Sequence, residues 1–181
     1  NAGVTLDEGA SASIDMTRRR AALSGVDRHM KLQVTGSFTD AFAGQTFDAI
    51  LGYAALHHLP LQGLAQQVYD RLRPGGVAVF AEPVINSKAL HAFRRMIPYS
   101  IHGETEHEVP LNDGMIGEFA RPFDRIVRRE FQCTSRIWPM FPEAIKWHVA
   151  SALHRLDVHL MRVPALRRFA TVVVFGLYRD R

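Results

Sequence analysis

The sequence contains a single cysteine, Cys133, and no long apolar run. One cysteine excludes a disulfide within the chain and a metal site built from cysteines alone, and it agrees with the reducing cytoplasm, where we expect the protein. The longest apolar run, at residues 170–178, is much shorter than the roughly 20 residues that a membrane-spanning helix needs. We therefore expect no membrane partner. Internal repeats and low-complexity tracts are also lacking.

What is present is the composition of an ordinary globular domain. The chain has 181 residues, of which 47% are hydrophobic and 22% are charged, so one domain is expected over residues 1–181. The net charge of +4 comes from arginines scattered in small groups along the chain. A nucleic-acid-binding protein concentrates such charges on one face, so nucleic acid is not an expected partner. These arginines would be explained either by solvated helix faces and strand ends or by attraction of an acidic substrate. The oligomeric state is left open.

Residues 46–83 carry the clearest structural pattern. Two apolar runs enclose a stretch with helical spacing and a turn, and these pieces are residues 47–51, 62–72, 73–76 and 77–81. Strand, helix and strand in this order predict a parallel crossover unit whose strands are covered on both faces. Ligands bind at the carboxyl ends of such strands, which here are Gly52-Tyr53-Ala54 and Glu82-Pro83.

These residues resemble the class I S-adenosylmethionine-dependent methyltransferases. The likeness rests on the Phe47-Asp48 strand entry, on Leu56-His57-His58 after that strand, and on the turn Arg73-Pro74-Gly75-Gly76. Further pieces follow the family's order: residues 4–7 and 31–38 as its second and third strands, 13–24 as the helix between them, and 123–137 and 170–179 as its two final antiparallel strands. The resemblance implies an α/β fold with a doubly wound, mostly parallel sheet of Rossmann-like type and an antiparallel final strand.

The family's glycine-rich loop has no counterpart in this sequence. A Gly-x-Gly-x-Gly motif follows the first strand in the family, and no such cluster precedes Asp7 here. In the family's sheet that first strand lies between the second and the fourth, so its absence would leave unpaired backbone groups on both sides. We therefore expect the chain to be N-terminally incomplete. A rearranged sheet with degenerate cofactor binding is the alternative.

Residues 86–122 interrupt the alternation of strands and helices. A helix is predicted at 86–96, a polar loop at 99–112 and a short helix at 115–119. The family often inserts substrate-covering segments at this place, and the resemblance implies the same here. His102, His107 and three glutamates crowd the loop, but they lack the spacing that is diagnostic of metal ligands, so no metal is expected. His91 and Tyr99 are further candidates for the substrate site.

The resemblance implies a set of residues that bind S-adenosylmethionine. An acid in the place of Asp7 accepts hydrogen bonds from the ribose hydroxyls, with Glu8 as the substitute if the register differs by one. The family commonly has Asp where Ser37 stands, beside the adenine, and Phe38 is placed to pack on that ring, with core packing as its alternative. Gly52 and Tyr53 would line the methionine end of the cofactor. A buried tyrosine bonded to the backbone is the alternative for Tyr53.

The adjacent histidines His57 and His58 are the candidate catalytic residues. Methyl transfer to oxygen or nitrogen often needs a proton removed, and neutral imidazole is a suitable base. Neighbouring residues at a helix start point in different directions, so only one of the two would face the cleft. A capping or packing role is the alternative for both.

Two hypotheses for the function follow. The first is an enzyme that transfers a methyl group from S-adenosylmethionine to an oxygen, nitrogen or carbon nucleophile of a small molecule, largely by positioning. The second is a non-catalytic methyltransferase-like binding or scaffold domain that has lost the cofactor loop. Methylation of nucleic acid is disfavoured, because Gly52-Tyr53-Ala54-Ala55 stands where the Asn/Asp-Pro-Pro-Tyr/Phe signature would occur.

Overall fold

The structure is a computed structural model, which describes residues 2–5, 10–34, 38, 40–87 and 110–180. It divides into two compact units, Asn1–Thr46 and Phe47–Arg181. Each unit has its own hydrogen-bonded sheet.

The first unit is one strand–helix–strand crossover. Strand β1 (Ala2–Thr5) leads into helix α1 (Ala10–Leu23), and strand β2 (Lys31–Val34) pairs with β1 in parallel, from Ala2 opposite Lys31 to Thr5 opposite Val34. The predicted strand, helix and strand are all present, although β1 begins two residues before the predicted residue 4. Ile14 and Ala21 are the buried apolar positions of α1, seven residues apart and thus on one face.

The second unit is a four-stranded sheet with helices. Its strands lie in the order β3-β4-β6-β5, where β3 and β4 are parallel and the other two pairs are antiparallel. The predicted antiparallel final strand is therefore confirmed. The elements in chain order are β3 (Phe47–Tyr53), α2 (Leu64–Arg71), β4 (Leu72–Pro83), α3 (Asp113–Phe119), β5 (Arg125–Phe131), α4 (Glu143–Leu160) and β6 (Val172–Tyr178).

The division into two sheets differs from our expectation of one sheet that contains β1 to β4. In the four-stranded sheet β3 is an edge strand, paired on one side only, with β4. Its side chains are accordingly more exposed than the predicted burial on both faces: Leu51 is 78% exposed and Tyr53 is 84% exposed. The predicted burial of β3 on both faces is therefore wrong. Parallel strands are buried on both faces only where helices or other strands pack against them.

The turn after α2 folds as a bulge. Leu72 pairs with Phe47 and the next pairing joins Val77 to Ala49, so residues 73–76 project from the ladder. A Cβ on Gly76 would lie 2.8 Å from the carbonyl oxygen of Arg73, which leaves no space for a larger residue. The glycines that ended the predicted helix therefore allow β4 to start immediately after α2.

One face of the four-stranded sheet forms the core of the second unit. Alternate residues of β4 and β6 are buried there, and the ring of Phe80 contacts those of Phe119 and Phe175 with centroids 5.7 Å apart in each case. Helix α3 packs against this face through Ile116 and Phe119, which are 1% and 3% exposed. Residues 111–119 of the predicted 86–122 insert therefore contribute to the core.

The C-terminal part of the chain corrects two predicted boundaries. Strand β5 ends at Phe131, six residues before the predicted end at 137, because Gln132 has a φ of 58° and the chain turns into a 3₁₀ helix at Ser135–Met140. A second 3₁₀ helix, Pro164–Phe169, replaces the predicted basic link. Helix α4 has the predicted end, at Leu160.

Candidate functional site

The carboxyl ends of the parallel strands β3 and β4 meet at a buried carboxylate. Glu82, near the end of β4, is completely buried. Its Oε1 accepts hydrogen bonds from the backbone N–H groups of Ala55 (2.8 Å) and Leu56 (2.9 Å), and its Oε2 lies 2.8 Å from Nδ1 of His57. A buried carboxylate is stable only when such partners replace its hydration. Glu82 thus fixes the loop that follows β3.

From the sequence, Glu82 was predicted only to lie at the strand end. The sequence does contain a pattern that indicates a buried role for Glu82. An acid follows the apolar run 77–81 directly, at a position where the alternation of side chains along a strand predicts that it faces inward. A buried acid in such a place needs donors from a neighbouring segment. The identity of those donors depends on tertiary structure, because Glu82 and Ala55 are 27 residues apart.

The loop after β3 has a constrained backbone. Ala54 has a φ of 48°, in the left-handed region that favours glycine, and its N–H donates to the carbonyl oxygen of Ala81 (2.8 Å). Strained conformations of this kind persist only where surrounding contacts impose them. The contacts here come from Ala81 and Glu82 of β4, while Leu56, 2% exposed, anchors the following 3₁₀ turn Leu56–His58.

The two candidate catalytic histidines have different surroundings. The side chain of His57 is 9% exposed and bonds Glu82, whereas His58 is exposed. Their ring centroids are 4.0 Å apart with an angle of 38° between the planes. The structure therefore separates the pair, as their adjacency predicted, and singles out His57 as the histidine that a carboxylate orients.

Gly52 and Tyr53 lie at the end of β3, in the predicted place. A Cβ on Gly52 would lie 2.5 Å from Cδ1 of Phe80, so core packing already requires a glycine there. Tyr53 is 84% exposed, and the alternative of a buried tyrosine is wrong. Cofactor contacts of both residues stay predictions.

The remaining predicted cofactor residues belong to the first unit. Phe38 is half-buried in a turn. Asp7, its substitute Glu8 and Ser37 lie outside the described residues, as do His91, Tyr99 and the polar cluster between His102 and Glu108. Their roles stay predictions.

Residues that flank the segment 88–109 are tied together beside the end of β4. The N–H of Ile85 donates to the carbonyl oxygen of Leu111 (2.9 Å), and the N–H of Leu111 donates to that of Pro83 (3.2 Å). The side chain of Asn86 accepts from the N–H of Asp113 (2.8 Å) and donates to its carboxylate (2.9 Å). The segment therefore starts and ends a few residues from Glu82.

Arg128 of β5 stabilises this junction. Its guanidinium donates to Asp113 (2.8 Å) and to Glu130 (2.8 Å). Burial acts to lower the pKa of Arg128, but the hydrogen bonds and negative charges of Asp113 and Glu130 outweigh it, and the pKa is raised. The charge of Arg128 is therefore engaged with carboxylates of the protein itself.

Two features are absent from the described residues. No group of three or more His, Cys, Asp or Glu side chains is arranged to hold a metal ion in the part of the chain that the structure describes. Within the same residues, no helix has the length and apolar character needed to cross a membrane.

Comparison with known proteins shows which class of domain the chain is similar to. Residues 3–80 match the family model described as a methyltransferase domain. No curated protein matches the sequence significantly. The matched region and the fold confirm the predicted recognition: the chain has the α/β fold of the class I S-adenosylmethionine-dependent methyltransferases, and S-adenosylmethionine is the cofactor of that class.

Three solved structures illustrate the shared fold. A putative sarcosine dimethylglycine methyltransferase from Galdieria sulphuraria is 12% identical, with a TM-score of 0.59 over 99% of this chain and 69% of that protein. Geranyl diphosphate C-methyltransferase from Streptomyces coelicolor A3(2), in complex with Mg2+, geranyl diphosphate and S-adenosyl-L-homocysteine, is 16% identical, with a TM-score of 0.55 over 98% and 62%. The [4+2]-cyclase SpnF is 12% identical, with a TM-score of 0.59 over 98% and 66%.

At these identities the likeness shows the fold alone. This chain spans about two thirds of the length of those proteins. Their fold is also compatible with different activities, because one of them is a cyclase.

Of the described residues at the end of β3, Tyr53 has groups suited to contact S-adenosylmethionine, whereas the backbone of residues 54–56 has no N–H group left to donate. The exposed Tyr53 offers an aromatic ring and a hydroxyl that both donates and accepts hydrogen bonds. The backbone N–H groups of Ala54, Ala55 and Leu56 are already bonded to β4. Donors to the polar groups of the cofactor must therefore come from other residues.

Proposed function

We propose that this protein transfers a methyl group from S-adenosylmethionine to an oxygen, nitrogen or carbon nucleophile of a small molecule, in the cytoplasm. The observation that carries the proposal is the fixed loop at the carboxyl ends of β3 and β4, in a domain of the methyltransferase class. In open α/β sheets this edge is where ligands bind. The cofactor supplies a methyl group on a sulfonium, which is already activated for displacement. The protein then has to bind, orient and shield the reactants.

The names of the structural neighbours support a small-molecule acceptor without selecting an atom. They include a sarcosine dimethylglycine methyltransferase, a geranyl diphosphate C-methyltransferase and an O-methyltransferase of a polyketide synthase multienzyme. Carbon and oxygen acceptors thus occur on one fold. The choice must come from residues outside the shared framework.

We further propose that residues 88–109 recognise the acceptor. The hydrogen bonds of Asn86 with Asp113 and of Ile85 with Leu111 hold both flanks of this segment beside the end of β4. An insertion anchored at the ligand-binding edge of a sheet is well placed to contact the substrate. The packing of α3 limits this role to the residues before Leu111.

The second candidate function is a binding or scaffold domain of the same fold. It is favoured by one observation, the lack of a Gly-x-Gly sequence anywhere in the chain. In the class this loop lets the backbone approach the cofactor closely. A domain without it would keep the fold and serve a partner.

Calorimetric titration of S-adenosylmethionine distinguishes the two functions. We expect clear binding to the full-length protein. In that protein Asp7→Ala should weaken binding by about 1.5–3 kcal/mol if charged hydrogen bonds to the ribose are lost. Glu8→Ala is the matched control and should have little effect. Lack of binding by the full-length protein would refute methyl transfer and favour the scaffold function, and a loss confined to Glu8→Ala would move the ribose contact by one residue.

A further inference from the structure

Glu82 and His57 link the ends of two strands through a hydrogen bond. In this bond the carboxylate of Glu82 can only be the acceptor. Every hydrogen-bond partner of Glu82 in the described residues is a potential donor: two backbone N–H groups and the Nδ1 atom of His57. No lysine or arginine is among these partners. The carboxylate therefore depends on the imidazole for its third hydrogen bond.

This contact determines which nitrogen of His57 carries the proton. An ionised carboxylate has only acceptor atoms, so Nδ1 must donate and therefore must carry hydrogen. In the neutral ring the lone pair is then on Nε2. Because Glu82 is completely buried and the His57 side chain is 9% exposed, water competes little for this hydrogen bond.

We propose that Glu82 is a positioning residue that holds His57 as the Nδ1–H tautomer, and that Nε2 of His57 is the base for an acceptor whose nucleophilic atom carries a proton, namely a hydroxyl or an amine. This inference rests on the proposed function and narrows it to oxygen and nitrogen acceptors. As the acceptor atom bonds the methyl carbon, its proton passes to Nε2, and the electron pair of the breaking carbon–sulfur bond remains on sulfur.

The pair lies at the carboxyl ends of two parallel strands, the edge where open α/β sheets bind ligands. His57 lies in the 3₁₀ turn directly after β3, and Glu82 lies near the end of the adjacent parallel strand β4. The hydrogen bonds from Ala55 and Leu56 to the same carboxylate keep the turn from moving away from β4. The ring of His58 lies beside that of His57, with the two centroids 4.0 Å apart.

The substitution Glu82→Gln tests the positioning role while it conserves the shape of the side chain. The amide oxygen can still accept from Ala55 and Leu56, but the amide nitrogen donates toward Nδ1, which must then carry the lone pair. The proton moves to Nε2 and the base is lost. Nitrogen-15 shifts of the imidazole ring report this change, and the His57→Gln spectrum identifies the His57 signals among the nine histidines.

We expect Nδ1–H in the wild-type protein and Nε2–H in Glu82→Gln. Asp157→Asn is the matched control, because it also changes a buried carboxylate to an amide, and it should leave the His57 tautomer unchanged. Nε2–H in the wild-type protein, or the same tautomer in both Glu82 forms, would overturn the inference. This measurement needs neither cofactor nor activity, so its failure is distinguishable from failure of the proposed methyl transfer.

Single-turnover methyl transfer to a hydroxyl or amine acceptor tests the role of the base. In the full-length protein His57→Gln, which leaves the Glu82 hydrogen bonds to the turn available, should slow transfer by about 10²–10⁴-fold. Affinity for S-adenosylmethionine should change little. Wild-type rates in His57→Gln would refute the base, as would an equal loss for a carbon acceptor that needs no prior deprotonation.

Discussion

Asp157 of helix α4 is the residue whose replacement should most clearly destabilise the C-terminal part of the chain. It is 3% exposed, and its carboxylate accepts four hydrogen bonds. The donors are the N–H of Cys133 (3.1 Å), the N–H and hydroxyl of Thr134 (2.7 Å each) and the N–H of Ser135 (2.9 Å). These bonds tie the start of the 3₁₀ helix Ser135–Met140 to the last turn of α4.

Asp157→Asn keeps the shape of the side chain but replaces one of the two oxygen atoms that accept these hydrogen bonds. The asparagine oxygen can replace Oδ1, which bonds Thr134, but its amide group would face the N–H groups of Cys133 and Ser135. Two charge-assisted hydrogen bonds are lost and two buried donors are left unpaired. We expect a loss of about 2–4 kcal/mol in the free energy of unfolding at neutral pH.

The destabilisation should depend on pH. Burial acts to raise the pKa of Asp157, but the hydrogen bonds from Ser135 and Thr134 outweigh it, and the pKa lies below its ordinary value. The unfolded chain, with an aspartate pKa of about 3.9, then takes up protons before the folded protein does. The stabilisation is complete above about pH 5 and is lost as the pH falls through the folded pKa. The difference between wild type and Asp157→Asn should therefore shrink below about pH 4.

Urea unfolding, monitored by tryptophan fluorescence, measures the loss in the free energy of unfolding in the part of the protein around Asp157. The two tryptophans of the chain, Trp138 and Trp147, lie on the two elements that Asp157 joins, with ring centroids 5.5 Å apart. Asp48→Asn is the control, because the Asp48 side chain is 82% exposed and its ion pair with Arg73 should contribute at most about 1 kcal/mol. Equal unfolding midpoints for the two variants, or a difference that is constant between pH 3 and 7, would refute the reasoning.

Two further predictions concern the strand end and the insert. Gly52→Ala should lower the free energy of unfolding by about 1–3 kcal/mol, because the new Cβ would lie 2.5 Å from Phe80. Adding Phe80→Leu should cost less than the sum of the two single changes in urea unfolding, and simple additivity would show that the ring is not the obstacle. Exchange of residues 88–109 in an active full-length protein should change the acceptor preference, measured as competing product yields. If the exchange alters cofactor affinity alone, the proposed acceptor role is wrong.

The elements of the central crossover could be predicted from the sequence because their signals are local. Apolar runs at 47–51 and 77–81 enclose the helical spacing of α2, which ends at Arg71, just before the predicted turn at residues 73–76. Each of these signals acts within a few residues, through side-chain periodicity or backbone freedom. The carboxyl ends of β3 and β4 were located for the same reason.

The predictions that failed depended on neighbours that a local pattern does not describe. An apolar run such as β3 looks the same whether it lies at the centre or at the edge of a sheet, so the exposure of Leu51 and Tyr53 was missed. The early end of β5 was missed because the backbone N–H groups at the start of the next 3₁₀ helix donate to Asp157, more than twenty residues away.

The sequence by itself therefore determined the class of the domain, the order of its elements and the edge of the sheet that carries the candidate site. Tertiary structure alone decided what occupies that edge. It brought Glu82 to the loop 26 residues earlier, bonded it to His57, and filled the space at Gly52 with Phe80. The physical reason is that a buried carboxylate or a tightly packed ring takes its partners from whichever segments the fold brings into contact, and separation along the chain does not specify them.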